Sequence, residues 1–312
     1  MSGITDLPFR RLAQRLGAGL VVSEMIASKS LIRNGREDLR RIQGGGEKPF
    51  VVQLAGREAH WMAEGARIAA GYGAGIIDIN MGCPAKKVTR GLSGSALMRD
   101  IDHALELIEA VVGAVYLPVT LKMRMGWDHD SLNAPRLAAR AEQAGIQMIS
   151  VHGRTRAQFF KGAADWGFIA KVKQAVSIPV IANGDMRSLA DIRNALALSK
   201  ADGVMIGRGC YGRPWFPGRA AAAIAKGGEI IPPSLEQKKD IVLEHYEDML
   251  AHYGAYHGVR NARKHLGWYL QEALGAGEDA KHWRQQICRE EEARKVRGKI
   301  AEFYDRRLQD AA

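Results

Sequence analysis

Several short runs in this sequence combine residue types that could do chemistry. The run Asn80-Met81-Gly82-Cys83-Pro84-Ala85-Lys86-Lys87-Val88-Thr89-Arg90-Gly91 follows an apolar stretch and places one cysteine in an irregular loop between Gly82 and Pro84. Lys86, Lys87 and Arg90 add three cations. Nearby cations favour thiolate, the nucleophilic form of cysteine. A thiol in such a loop can equally give up a proton, and composition alone leaves the role of Cys83 open. Lys122 ends the apolar run Val119-Thr120-Leu121-Lys122, and His152 ends Ile149-Ser150-Val151-His152. A lysine drawn into an apolar surround needs an anionic or electron-rich partner. A bound phosphate or an aromatic ring would serve.

Gly207-Arg208-Gly209-Cys210-Tyr211-Gly212 has the G-x-G-x-x-G spacing. A dinucleotide-binding fingerprint would need a further strand and an acidic residue about 20 positions on, and neither follows. The glycines suit the other use of such a run, a phosphate loop after a late barrel strand, with backbone N–H groups facing the anion. Arg208 would add charge-assisted bonds. Asn183-Gly184-Asp185 ends the preceding strand candidate, so two adjacent loops could clamp one phosphate-bearing cofactor. Two basic clusters carry aromatic neighbours: His152-Gly153-Arg154-Thr155-Arg156 with Phe159, Phe160 and Lys161, and Arg260, Arg263, Lys264 and His265 with Trp268 and Tyr269. Such mixtures suit phosphate contact plus base stacking. The nine histidines show no zinc spacing and the three cysteines no CxxC, so neither a metal site nor a disulfide scaffold is expected.

These groups fall at the ends of strand candidates, which is where the fold must place them. The candidates are Leu20–Ser23, Phe50–Leu54, Ile76–Asn80, Pro118–Lys122, Met148–His152, Pro179–Ala182 and Gly203–Ile206. Helix-period segments lie between them, at His60–Ala70, His103–Val112, Leu132–Ala144, Trp166–Ala175 and Ser188–Leu198. This alternation means parallel βαβ units. Gln53, Asn80, Lys122, His152 and Asn183 stand at the C-terminal ends of five candidates, as a barrel active site requires. The predicted fold is an α/β (β/α)8 TIM barrel over residues 1–232. The chain opens in a βα loop, Ser2-Gly3-Ile4-Thr5-Asp6-Leu7-Pro8, so the barrel's first strand is expected to be missing and Met1 to be an internal methionine. Gly and Pro pairs at 227–233 predict a linker. Ser234 and Gln237 predict a capping box opening a helical domain over 233–312.

Composition narrows the function. The 312 residues carry 45 Lys+Arg against 34 Asp+Glu, a net charge of +11, with 46% hydrophobic residues. From Pro233 onward 14 basic residues balance 14 acidic ones, so the whole excess lies in the barrel segment and points to a polyanionic partner. No run approaches the ~18–20 apolar residues of a membrane span. Asp6, Arg10 and Arg11 interrupt any secretory signal. A cytoplasmic protein with no obligate protein partner is expected.

Taken together, the runs MSGITDLPFRRL, DINMGCPAKKV, VTLKMRMGW, VHGRTR, IPVIANGD, the GRG run and RKHLGWYLQ resemble the tRNA-dihydrouridine synthases, and within them the bacterial B subfamily, along essentially the whole chain. The resemblance implies an FMN-containing barrel, a helical tRNA-binding domain, and NADPH-dependent reduction of particular uridines, in the D-loop, to 5,6-dihydrouridine. It implies that Cys83 protonates uracil C5 while flavin N5 delivers hydride to C6. It places Gln53 and Lys122 at the isoalloxazine ring. It places Asn183, Gly184, Asp185, Gly207 and Arg208 at the ribityl phosphate, with His152 beside them, and the Met1–Ser2 backbone at the flavin. Lys86, Lys87, Arg90, Arg154, Arg156, Arg263 and Lys264 become the expected RNA contacts. Two other readings fit part of the pattern: an FMN barrel acting on a small pyrimidine, and a non-catalytic RNA-binding protein.

Overall fold

The computed structural model of the chain describes residues 1–33 and 35–311. In chain order it forms α1 (Leu7–Arg15), β1 (Val22–Ala27), α2 (Ser28–Ile32), α3 (Arg36–Arg41), β2 (Val51–Ala55), α4 (Ala59–Gly71), β3 (Ile76–Met81) and α5 (Lys86–Arg90). A 3-10 turn at Gly94–Arg99 leads to α6 (Ile101–Val112), β4 (Val119–Arg124), α7 (Ala134–Gln143), β5 (Met148–His152), α8 (Trp166–Gln174), β6 (Val180–Asn183), α9 (Leu189–Ser199) and β7 (Gly203–Met205). The rest is helical: α10 (Phe216–Lys226), α11 (Leu235–Tyr253), α12 (Ala255–Leu274), α13 (Glu278–Cys288) and α14 (Ala293–Asp310). Among the described residues no helix is long and apolar enough to cross a membrane.

The seven strands form one parallel sheet in sequence order, with β1 and β7 as its edges. This is the α/β fold of the TIM-barrel class, seven parallel strands with covering helices, followed by the helical C-terminal region. The central strands are apolar on both faces because helices cover one face and the barrel interior the other. β2, for example, is buried at every position. Residues two apart share a face, so Asp78 and Asn80, Thr120, Lys122 and Arg124, and Ser150 and His152 line up in three neighbouring rows. Register sets them side by side: Asn80 opposite Lys122, Lys122 opposite Ser150, Arg124 opposite His152, and His152 opposite Asn183. The first strand begins later than the apolar run Leu20–Ser23 predicts. It takes in Ser23 and Glu24, which are buried and satisfied by hydrogen bonds. Ser23 Oγ accepts from Gln53 N at 2.9 Å, and Glu24 Oε1 accepts from Gly3 N.

The chain divides into two compact units. The first comprises residues 1–6 and 20–208, the second residues 7–19 and everything from Gly209. The division differs from the predicted boundary at 232/233. Leu12 of α1 and Trp215 ahead of α10 belong to the apolar core of the second unit, with Tyr246, Leu266, Tyr269 and Phe303. The helix start at Ser234 is as predicted, with reciprocal bonds between Ser234 and Gln237.

Candidate active site at the strand ends

Three strands of the first unit bring a connected polar chain to one end of the sheet. Thr120 Oγ1 on β4 donates to Asp78 Oδ1 on β3 at 2.6 Å. Gln53 Nε2 on β2 donates to Asp78 Oδ2 at 2.6 Å. Asn80 Nδ2 donates to Gln53 Oε1 at 2.8 Å. Asn80 Oδ1 in turn accepts the backbone N–H of Gly82 at 3.2 Å and of Cys83 at 3.0 Å. Ser95 closes the loop from the other side: its N and Oγ both donate to Cys83 O, at 3.1 and 2.8 Å. Cys83 is half-buried, and its backbone is held at three points. Gly94 permits this. Its φ is +61°, and a Cβ there would lie 2.9 Å from Cys83 O.

Beside this chain the site is strongly cationic. Lys122 Nζ donates to Asn183 Oδ1 at 3.1 Å, and Asn183 Nδ2 donates to Met205 O at 2.7 Å. Burial, then the nearby Arg124, pull the Lys122 pKa down to about 8, against the opposing charges of Asp78 and Cys83. Arg124 is 1% exposed. Its Nε donates to Gly82 O at 2.8 Å, and one terminal nitrogen donates to Thr155 O and Phe159 O, each at 2.8 Å. It therefore ties the cysteine loop to the loop after β5. Burial and the Arg154 charge lower its pKa to about 10. His152 has its pKa pushed down to about 2, by burial first and then by Lys122, Arg124, Arg154 and Arg208. It is neutral at physiological pH. Its Nε2 lies 3.2 Å from an Arg154 nitrogen, which can only donate, so Nε2 carries the lone pair and Nδ1 the proton.

Arg154 corrects the reading of the sequence. Its cluster suggests an RNA contact, but the side chain is 1% exposed and spent inside the protein. It donates to Lys161 O at 3.1 Å, Gly162 O at 2.6 Å and the Asp185 carboxylate. Asp185 also accepts from Ala164 N at 2.9 Å and lies 3.4 Å from the half-exposed Arg208. These partners hold its carboxyl below the usual range, although burial pushes the other way. The Asp185 side chain therefore arranges cations and cannot itself hold an anion. Gly184 next to it has φ +120°, and a Cβ would come within 2.9 Å of the His152 ring. Only glycine fits there. Gly207 sits close to Met1, whose Sδ would lie 3.6 Å from a Cβ at that position. The Met1 amino group donates to Thr5 Oγ1 at 2.6 Å, and Ser2 is exposed.

Of the other cations read as RNA contacts, Lys86, Lys87 and Arg90 are exposed on α5, three to seven residues past Cys83. Arg156 lies over the Trp127 ring at 4.4 Å and over Phe159 at 5.4 Å. In the second unit, Arg263 and Lys264 are half-buried on α12. Arg263 donates to Glu290 O at 3.4 Å. On the same helix Trp268 stacks on Tyr211, with ring centroids 3.9 Å apart. Sequence reasoning missed Asp78, Thr120 and Arg124. The available signal was their i, i+2 spacing to Asn80 and Lys122, which puts them on the inward face.

Comparison with known proteins places this arrangement. Residues 1–309 match the dihydrouridine synthase (Dus) family. A protein named probable tRNA-dihydrouridine synthase from Rhizobium leguminosarum bv. phaseoli is 59% identical over 271 residues, 87% of this chain and 83% of the relative. One of the same name from Rickettsia conorii is 51% identical over 306 residues, 97% of this chain and 91% of the relative. The tRNA-dihydrouridine synthase B of Pseudomonas putida is 50% identical over 279 residues, 89% and 83% of the two chains. At these identities, over these spans, the chain belongs to the dihydrouridine synthase family, with B-type members among its relatives.

Proposed function

We propose that this protein reduces uridines in the D-loop of tRNA to 5,6-dihydrouridine, with FMN as bound cofactor, NADPH as reductant and Cys83 as the proton donor. The observation that carries this reading is the juxtaposition at the ends of β3 and β4. A half-buried thiol is held by its backbone next to Gly82, whose carbonyl Arg124 binds, and Lys122 stands opposite Asn80, which holds the Cys83 N–H. The names of the relatives support tRNA as the substrate.

The donor set fits a flavin nucleotide. Lys122, Arg124, Arg154 and Arg208 outnumber the carboxylates of Asp78 and Asp185, so an anionic group gains there. Asn183, the backbone of Gly184 and Asp185, Gly207 and Arg208 would hold the ribityl phosphate, beside a neutral His152. Lys122 would face the ring, as would the Met1–Ser2 backbone. Gln53 spends one N–H on Asp78 and one lone pair on Asn80, and keeps one of each for the ring. When bound and reduced, FMN supplies the hydride that adds to uracil C6. The negative charge left on the base is shared between C5 and the C4 carbonyl. Cys83 gives its proton to C5, and Lys122 and Arg124 stabilise the thiolate that remains. The target base must leave its stack to reach this site. The exposed cations of α5 would hold the RNA beside this site, and the basic, aromatic α12 of the second unit would bind tRNA by itself.

Nucleoside mass spectrometry of tRNA from a deletion strain, with and without the restored gene, tests the activity. Heat release and chromatography of bound flavin test the cofactor. Unchanged dihydrouridine in the deletion strain would overturn the first. FAD, or no flavin after reconstitution, would overturn the second.

A further inference from the structure

We propose that Asp78 is a positioning residue: through Gln53 and Asn80 it fixes the direction of a hydrogen-bond chain that holds the Cys83 backbone in place. The direction follows from what each end can do. Backbone N–H groups of Gly82 and Cys83 only donate, so Asn80 must turn its oxygen to them and its NH2 to Gln53. Gln53 must then show its oxygen to Asn80 and its NH2 onward. The chain can close only on an acceptor, and an ionised carboxylate is acceptor-only. Asp78 supplies one oxygen to Gln53 and the other to Thr120. It is 4% exposed, and burial raises its pKa against the opposing pull of Thr120, Gln53 and Lys122, the groups that face it. A carboxylate in such a place is costly, and its two short bonds are the return. The proposal deepens the function proposed above, since it assumes that the position of Cys83 matters for proton transfer.

The test reads the chain itself, so it does not depend on that assumption. Asn80→Asp makes position 80 acceptor-only. Gln53 must then turn its NH2 toward it and aim its oxygen at the Asp78 carboxylate. The strand-end loop should loosen: alkylation of Cys83 by iodoacetamide, read by peptide mass spectrometry, should rise roughly tenfold. Amide exchange at Gly82 and Cys83 should quicken by a similar factor. A proton shared between the two carboxylates would relieve the conflict, so the loosening should shrink as pH falls from about 8 to about 5. Adding Asp78→Asn restores a closed chain of opposite direction, with the Asn amide donating to Gln53. The double variant should return both rates to within about threefold of wild type and lose the pH dependence. Asp78→Asn alone should raise both rates, by less than Asn80→Asp does, because its carbonyl can still accept from Gln53 while its NH2 can now face Gln53 instead and the direction is no longer enforced. If the two substitutions simply add, or Asn80→Asp shows no dependence on pH, Asp78 does not act on Cys83 through this chain. Undiminished dihydrouridine formation by Cys83→Ala would instead overturn the catalytic role of Cys83 and leave the loop result standing.

Discussion

His245 and His265 should make the second unit acid-sensitive, because both lie in its core. Their rings meet edge to face at 4.8 Å, and Phe9 of α1 stacks on His265 with centroids 5.6 Å apart. His245 Nδ1 is 2.9 Å from Tyr269 Oη, while Nε2 of each ring has no hydrogen-bond partner among the described residues. Burial, and secondarily the Lys264 charge, lower the His245 pKa to about 3. His265 shifts the same way, by burial, then His245 and Lys264. In the unfolded chain each imidazole takes a proton near pH 6.5, and in the folded unit it stays neutral. The stability they contribute is therefore complete above about pH 6.5 and is lost as pH falls toward the folded value. One such group costs about 1.4 kcal/mol per pH unit across that window, or about 2 kcal/mol for His245 alone between pH 6.5 and 5. His265 adds to this. The perturbation is His245→Gln, which keeps a hydrogen-bonding group toward Tyr269 and cannot titrate. Urea unfolding followed by circular dichroism at about pH 7.5 and 5 should show the variant losing about 2 kcal/mol less than wild type on acidification. Equal losses in both proteins would mean that His245 is protonated in the folded unit, and would refute the burial argument.

Three further outcomes test the site and the RNA surface. Cys83→Ala should keep its flavin and its reduction by NADPH but lose dihydrouridine formation by ~10²–10⁴-fold, and near wild-type turnover on native tRNA would assign the proton to another group. Arg124→Lys keeps the charge but cannot span the carbonyls of Gly82, Thr155 and Phe159. It should cost about 3 kcal/mol of stability in urea unfolding, and a loss under about 0.5 kcal/mol would show that those bonds are dispensable. Replacing Arg263 and Lys264 together with Ala should weaken tRNA binding and flatten its dependence on log salt, by about one unit of slope for each phosphate no longer neutralised. An unaltered slope, measured by filter binding, would leave them as ordinary surface charge.

The parts of this molecule that sequence makes legible are those set by local pattern. β-branched runs ending in a polar residue mark the strands, and inward alternation then carries Gln53, Asn80, Lys122, His152 and Asn183 to one end of the sheet. Ser234 and Gln237 announce a helix start by reciprocal capping within four residues. What stays hidden depends on partners far along the chain. Arg154 and Arg156 are two residues apart in one basic cluster, yet Arg154 is buried and Arg156 lies half-buried over Trp127. The difference is made by Asp185, 31 residues later, and by the carbonyls of Lys161 and Gly162. Asp78 reads as a stray charge in an apolar strand until β2 and β4 bring Gln53 and Thr120 to its two oxygens. The same cause moves the unit boundary. Gly and Pro pairs at 227–233 separate α10 from α11 inside the second unit, and a break in backbone pattern does not reveal which core a helix joins. Leu12 and Trp215 lie on opposite ends of the first unit's sequence and share the second unit's core. A buried charge or a swapped helix is stabilised by contacts the chain makes only after it folds, so composition around it gives the residue type and leaves the role to the partner.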